Sequence, residues 1–577
     1  MRALGPLALA CLSATAVLAA PPGAFDPSFN GGNPVLLDVA KTVPRSSGLT
    51  SVVFDAQGRI MVAGNTTDAT AHTAVLIARL LGDGTVDATF GDGGSRIAQM
   101  GLGSGTNQPY SVAFSIGPRP AGAGWLVGGY ASGSDDRRAP FAGAFDAGGG
   151  VDIGFGNGGS VRPQPAGSAP AETFGEGAGF AADGTSYVAC TIETTPATGA
   201  NRMFAVVAVT PQGQPLTSFG TQPGAFVGSF SQTTDTGSYG SQPLVTPNGI
   251  LVAGTTLDAT GRQQILLVRL TSGGLLDTGF AGGAGFVRKQ VADTGGSDSQ
   301  GSGVAVGPSG EIYLAGRADD SDDRFAFSVT RITVAGNVDA TFGTAGTRHI
   351  QTSLGTDQYS SSAANDVAVQ ADGKVILVGS SSNAVDQNEA VVLRLDVDGN
   401  LDPSFGASGV VRIDMGDRVS LSSGVIAPDG NSLVVAGGTS TGSVASGLVA
   451  RILLVESTTT TTTLVPGGCE AVPSIAGARC RIGVLSTALG DGAPEGRLKT
   501  RVTKTLTRAA ARLDGAEALS GRKRKARLRK AGALLRRASH QLGSRLAQRT
   551  LPESLRTGLR AQADAIATEL ATLAASA

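Results

Sequence analysis

Seven basic residues fall within nine positions of the chain: Arg522, Lys523, Arg524, Lys525, Arg527, Arg529 and Lys530. Such a run either solvates a helix face or grips phosphates, sulfates and carboxylates. It lies near a predicted helix N-terminus, where the macrodipole disfavours cations. That cost points to an anionic partner: a polyanionic glycan, lipid headgroups or an acidic part of the chain itself. The run is therefore the candidate binding site.

Other residues with chemical potential are scattered. His72, His349 and His540 stand far apart, with no HExxH pattern and no Ser or Cys nucleophile motif beside them. Asp396-Val-Asp398-Gly-Asn-Leu-Asp402 has the look of a calcium loop. Equivalent stretches elsewhere lack the second carboxylate, so it reads as a β-turn, and no metal or other cofactor is expected. The acidic groups Asp135-Asp136 and Asp319-Asp320-Ser-Asp322-Asp323 read as exposed loop charges. Trp125 is the single indole that could stack on a sugar. No catalytic constellation emerges, and the chain is not expected to be an enzyme.

The elements that must position these residues follow from composition. Gly supplies 85 of 577 residues, roughly twice its usual share, and hydrophobic residues make up 41%. That mixture suits many short strands joined by tight turns, with enough apolar material for a core. Net charge is −1, but residues 468–577 carry 21 Lys+Arg against 8 Asp+Glu, an excess of +13, and the remainder carries −14. Two modules of opposite sign are implied.

The N-terminus reads as an export signal spanning residues 1–19: Arg2, an apolar stretch from Leu4 to Leu18, and small residues for cleavage after Ala19, with Ala20 the near alternative. A lipobox at Cys11 is a weaker reading. No later apolar run is long enough to span a bilayer. The expected location is secreted, periplasmic or cell-surface. In that oxidising setting Cys469 and Cys480 form the natural disulfide pair, and Cys190, in a strand-like run, is a buried unpaired core residue.

A short phrase recurs seven times: Asp26-Pro-Ser-Phe29, Asp87-Ala-Thr-Phe90, Asp152-Ile-Gly-Phe155, Leu216-Thr-Ser-Phe219, Asp277-Thr-Gly-Phe280, Asp339-Ala-Thr-Phe342 and Asp402-Pro-Ser-Phe405. The phenylalanines are 61, 65, 64, 61, 62 and 63 residues apart, and every one has Gly six positions before it. Between phrases lies an alternating apolar stretch, a Gly turn and a second apolar stretch, as in Asp366-Val-Ala-Val-Gln-Ala-Asp-Gly373-Lys-Val-Ile-Leu-Val-Gly379. This is a hairpin signature. A third strand such as Val391-Val-Leu-Arg-Leu395 follows, then the phrase, then a short fourth strand.

Four antiparallel strands per repeat make a propeller blade. The fold class is mainly β, a seven-bladed β-propeller over 24–455, followed by a small helical bundle. The Phe is expected to wedge between blades, the Asp to close an Asx turn and the Gly to supply positive φ. The last repeat lacks a fourth strand, and an orphan strand at Pro34–Asp38 precedes the first. That strand should complete the last blade and close the ring. A β-helix or open array is the alternative.

Leu401-Asp-Pro-Ser-Phe-Gly406 and Ala371-Asp-Gly-Lys-Val-Ile-Leu-Val-Gly379 resemble the delta-60 repeat, a bacterial repeat family, over roughly 24–455. The resemblance implies exported, often multi-domain proteins and no particular activity. Leu216 in place of Asp, and Asn30 and Ala281 in place of Gly, depart from its pattern.

Residues 456–468, rich in Thr, read as an extended linker. From 469 to 577 the apolar spacing becomes helical: Ile475, Ala478, Ile482, Leu485 and Leu489; Leu498, Val502, Leu506, Ala509 and Leu513; Leu528, Ala531, Leu535, Ala538 and Leu542; Leu555, Leu559, Ile566, Leu570 and Leu573. Four amphipathic helices form a basic bundle. Thr550 with Glu553 suggests a capping box for the last. This tail looks like an accessory module of exported bacterial proteins.

The resulting expectation is an exported or cell-surface scaffold, monomeric, binding an envelope protein or anionic glycan and not nucleic acid, its tail aiding retention. The alternative is a hydrolase or lyase with its site on one face of the ring.

Overall fold

A computed structural model describes residues 20–42, 46–102, 109–133, 137–165, 172–193, 202–233, 237–293, 298–355, 361–382, 387–415, 418–456, 474–492, 496–544, 546–547 and 553–575. These divide into two compact units, Ala20–Ser457 and one that includes Thr458–Ala577. The export-signal segment 1–19, Asp135-Asp136, the Thr run, Cys469 and Thr550 of the expected capping box all lie outside the described residues.

Alternating runs around Gly turns become hairpins here because the turn glycines adopt positive φ, as at Gly58 (+74°) and Gly373 (+84°). Among the described residues twenty-eight strands, β1–β28 in chain order, form seven four-stranded antiparallel sheets. In the first blade β2 (Ser47–Phe54), β3 (Ile60–Thr67), β4 (Thr73–Leu80) and β5 (Ser95–Ala98) lie side by side in sequence order. The next five blades repeat this order.

The seventh blade is closed from both ends of the unit. Its strands β26 (Arg418–Ile426), β27 (Ser432–Thr441) and β28 (Val444–Leu453) are completed by β1 (Val35–Leu37), with Val35 opposite Val449 and Leu37 opposite Gly447. The first strands of successive blades touch one another around a closed circuit, returning from β26 to β2. The ring therefore has seven blades, each of four strands.

Each blade is apolar on both faces, so the core is seven cores, one at every blade junction. One phrase Phe sits in each: Phe90, Phe155, Phe219, Phe280, Phe342, Phe405 and Phe29, all at most 1% exposed. The Gly of the next phrase lies against that ring. A Cβ on Gly399 would stand 3.0 Å from Phe342, and one on Gly149 2.8 Å from Phe90. These glycines serve close approach as well as positive φ. The residue after each Phe donates its amide to the following blade, from Gly91 to Gly148 O (2.7 Å) through to Gly406, which bonds Pro22 O (2.9 Å) and crosses the ring closure.

The phrase Asp has two tasks. One carboxylate oxygen closes the expected Asx turn, as Asp402 Oδ1 does on the Ser404 amide (3.0 Å) and Asp87 Oδ1 on Thr89 (3.1 Å). The other meets an arginine eight residues earlier on the third strand: Arg79–Asp87 (2.8 Å), Arg269–Asp277 (2.7 Å), Arg331–Asp339 (2.8 Å) and Arg394–Asp402 (2.9 Å). Each guanidinium lies over the phrase Phe, 4.3–4.9 Å from its centroid, and donates to a carbonyl of the next blade. Arg451 pairs with Asp26 (2.8 Å) and reaches Gly82 O (2.6 Å), so the same clasp locks the ring shut.

The departures from the repeat have local consequences. At Leu216 the backbone turn survives, with Phe219 N on Leu216 O at 2.8 Å, but both clasp charges are missing and Ala208 stands where the arginine would be. Blade two has Ala144 at that position, and Arg119 from a hairpin turn pairs with Asp152 instead. Asn30 (φ +46°) and Ala281 (φ +54°) occupy the left-handed conformation glycine has elsewhere.

The second unit packs α1 (Ile475–Gly492), α2 (Arg497–Leu513), α3 (Gly521–Leu542) and α4 (Glu553–Ala575) around one core. The apolar positions spaced three and four apart are buried from Ile475 through Leu542 and at Leu559, Ile566 and Leu570, with Leu573 packed against them; the Leu555 side chain lies outside the described residues. No described helix is long and apolar enough to cross a membrane.

Breaking a clasp leaves a buried charge unpaired, so Arg394→Ala should cost about 3–5 kcal/mol in urea unfolding, and Arg394→Met with Asp402→Leu clearly less. Burial pushes the Asp402 carboxyl up, but Ser404, Lys374 and Arg394 outweigh it and hold it at about 2. Because the folded value is depressed, this stabilisation is complete above the ordinary carboxylate range and is lost as pH falls from about 4 towards 2. Ala281→Gly, relieving a left-handed alanine, should stabilise by up to about 1 kcal/mol, read from the urea midpoint.

Candidate functional site

The innermost strand of a propeller blade has one unpaired backbone edge, and that edge lines the axis. Every innermost strand here carries a β-bulge at the same level: Leu49/Ser51, Ala113/Ser115, Gly175/Gly177, Gly240/Pro243, Gly301/Gly303, Ala364/Asp366 and Leu421/Ser423. The extra residue turns its side chain towards the neighbouring blade. Thr50 donates to Ala113 O, Ser241 to Ser302 O and Asn365 to Leu421 O, each at 2.7 Å. The residue after it accepts an amide: Ser51 from Ile116 (3.3 Å), Ser115 from Ala178 (2.9 Å) and Asp366 from Gly424 (2.9 Å).

These strands enclose an axial cavity of about 500 Å³ whose polar lining includes Ser51, Ser115, Gln242, Asp366 and Ser423. Burial pushes the Asp366 carboxyl up to about 6, against the amides of Gly424 and Val367 and the Ser423 side chain. Its oxygens are occupied by that stitching, which makes it a structural acceptor. Glu176, the extra residue of the third bulge, reaches solvent. Surrounding protein desolvates its carboxyl to about 7, with Arg202 opposing.

At the end of the ring where second and third strands are joined, the rim is lopsided. Across blades two to five it carries large polar and aromatic side chains. Arg138 lies over Tyr130 (5.6 Å) and over Phe174 of the next blade (4.9 Å), and Tyr110 meets Tyr130 edge-on at 5.9 Å. Arg202 stacks on Tyr239 (5.3 Å) and donates to its hydroxyl (2.8 Å), with Glu193 at 3.8 Å. Arg317 lies over Phe325 (4.1 Å) and donates to Gln300 (2.9 Å), which bonds Gln263. These groups are half-buried and solvent-facing. At the same level blades six, seven and one carry Ala363, Ser380, Ser420, Gly438, Gly48 and Asn65. A depression of about 300 Å³ opens there, lined by Gly48, Asn65, Asn388, Arg418, Ser420 and Gly438 among others.

The candidates from sequence fall elsewhere. Arg522–Lys530 begin α3 in the helical unit. Cys480 is on α1, and its expected partner Cys469 is undescribed. Cys190 is free and fully buried, as expected. Trp125 is no stacking platform: at 5% exposure it belongs to the core between blades one and two. Asp396 accepts the amides of Asp398 (3.0 Å) and Asn400 (2.8 Å), the turn the sequence suggested. Asp320 is not an exposed loop charge. It is buried and holds a hairpin turn by accepting from Asp322 (2.9 Å) and Arg324 (3.1 Å).

His349 has a partner that spacing could not reveal. Its Nδ1 lies 2.9 Å from Asp293 Oδ1, across a blade junction, and its Nε2 is buried without a hydrogen-bond partner. Ser328 faces it across the strand pair. Among the described residues no group of three or more His, Cys, Asp or Glu could hold a metal ion.

Three segments, 57–90, 246–280 and 370–405, match the family described as "Domain of unknown function (DUF5122) beta-propeller". This is a β-propeller repeat protein. No curated protein matches the chain. Among solved structures, the propeller protein is similar to "Crystal structure of polysaccharide lyase Uly1" at 10% identity, over 71% of this chain and 90% of that one, with a TM-score of 0.37. It is also similar to "Hypothetical protein from leishmania major" at 12% identity, over 51% and 88%, with a TM-score of 0.25. Likenesses this distant carry no argument about activity.

Asp366 gives the propeller a distinctive pH response. Its folded value is raised, so its contribution to stability should fall as pH rises from about 4 to 6, by at most about 3 kcal/mol. Asp366→Asn should reduce the slope over that range in urea titrations, leaving the part due to Glu176, which extends to about 7; an unchanged slope would place the titrating group elsewhere.

Proposed function

We propose that this propeller is an exported or cell-surface scaffold that binds protein or glycan partners through the rim of blades two to five, without catalysis. The observation that carries the reading is the set of guanidinium–aromatic stacks at Arg138, Arg202 and Arg317. Tyr and Arg side chains of this kind dominate binding energy at interfaces and suit the faces and hydroxyls of sugars. The first- and second-strand positions at this level of blades six, seven and one are Gly, Ala, Ser and Asn, and third strands start with Thr73 and Asn388 where Arg138 and Arg202 stand, so the bulky groups are not required by the repeat. An export signal at 1–19 and a Cys469–Cys480 cross-link fit the same location. The basic run Arg522–Lys530 aids retention there.

A hydrolase or lyase is the second reading, favoured by one observation: the His349–Asp293 pair, oriented as a base with its second nitrogen unpartnered. The two readings separate in one experiment. Full-length protein is incubated with envelope fractions and with an array of glycans, and both capture and soluble fragments are measured. We expect capture without fragment release, weakened about tenfold or more by Arg138→Ala with Tyr130→Ala. Unchanged capture by that variant would remove the rim reading, and fragments abolished by His349→Ala would establish the enzyme.

A further inference from the structure

The helical unit is polarised to a degree its overall charge conceals. Together α2 and α3 hold fifteen Lys and Arg and no Asp or Glu. The acidic residues of the unit lie on the other helices and connections. Arg479 pairs with Asp514 and Arg481 with Glu569, both arginines standing on α1. The two helices adjoin: Thr505 Oγ1 lies 3.2 Å from Gln541 Oε1, and Arg527 bonds the Asp514 carbonyl between them.

Both helices also begin with cations and have no side-chain cap. Each therefore sets positive charge against the positive end of its own dipole, a local penalty with no packing benefit, since the core uses only Leu, Val, Ala, Gly and Thr/Ser positions of these helices. A groove of about 490 Å³ runs along α2, lined by Lys499, Thr500, Thr503, Lys504, Thr507 and Arg508. Its ammonium and guanidinium groups are the donors for discrete oxyanions, because the Thr500 and Thr507 hydroxyls already donate to the Gly496 and Thr503 carbonyls.

We propose that α2 and α3 form one polyanion-binding face whose occupant is an acidic polysaccharide bearing carboxylate or sulfate groups. Charge complementarity selects an anion, and what the face lacks selects its class. No large apolar residue is exposed on either helix, so nothing is available to wedge into a bilayer. Residues 468–577 contain no Phe, Tyr or Trp, so there is neither an interfacial aromatic anchor nor a platform for stacking bases. A hydrophilic chain of regularly spaced anions fits cations repeating along a helix. This deepens the retention part of the function above and is independent of the rim.

The test uses full-length protein with heparin and polygalacturonate as acidic probes, neutral dextran, anionic phosphatidylglycerol vesicles and duplex DNA. Expected are binding to an acidic polysaccharide that weakens steeply with salt, none to dextran, and weaker binding to vesicles and DNA. Lys504→Gln with Arg508→Gln, and separately Arg522→Gln with Lys523→Gln, Arg529→Gln and Lys530→Gln, should each weaken it roughly tenfold at unchanged helicity and melting temperature. Wild-type affinity in the α2 variant would overturn the joint face, and tighter binding to vesicles or DNA would overturn the polysaccharide. Capture of ring partners should be unaffected by either variant, so failure here and failure at the rim are read separately.

Discussion

The interaction on which the ring depends is the clasp of Arg, Asp and Phe at the blade junctions. One carboxylate shapes the turn that delivers the Phe and holds the guanidinium lying over it. That guanidinium then reaches the neighbouring blade. A charge buried this deeply is tolerable only when every donor is used, and Arg394, at 2% exposure, uses its donors on Asp402, Ser404 and Leu454. Turn geometry, aromatic packing and junction polarity are thus one constraint repeated. Where it lapses, at Leu216, the apolar core and the junction amide remain, and blade three still seats.

Such a frame frees other positions from structural duty. The junction cores consume the interior side chains, and the bulges spend Thr50, Ser115, Asn365 and Asp366 on satisfying an inner edge that would otherwise face solvent unpaired. The axial cavity is therefore largely an accessory of architecture. The rim is different. Its repeated positions carry Gly, Ala, Ser and Asn on three blades and stacked arginines and aromatics across the other four, a freedom the closed ring permits because no core depends on them.

In the helical unit burial and charge are separated with equal clarity. The apolar stripe of each helix meets the shared core, and α2 and α3 devote much of their outer surface to cations at the expense of helix-end electrostatics. Two modules with opposite charge thereby carry unlike surfaces, one aromatic and mixed in charge, the other hydroxyl-rich and cationic.

Repeat period, blade count, strand order and ring closure were legible in the sequence because they are local and periodic. The Phe–Gly phase marks each junction, and the missing fourth strand at one end matches the orphan at the other. The helical stripes were legible for the same reason. The Arg eight residues before four of the Asp residues was visible too, but its role was not, since that role lies in a contact with the next blade. Trp125 as core, Asp320 as turn acceptor and His349 beside Asp293 were beyond reach. Burial and pairing over tens of residues depend on which blade faces which, and period alone does not assign a residue to a face. Linear order determined the ring and its seven junctions. Only the closed ring decided which side chains those junctions consume and which remain free to bind, because proximity across a junction is a property of the assembled circle.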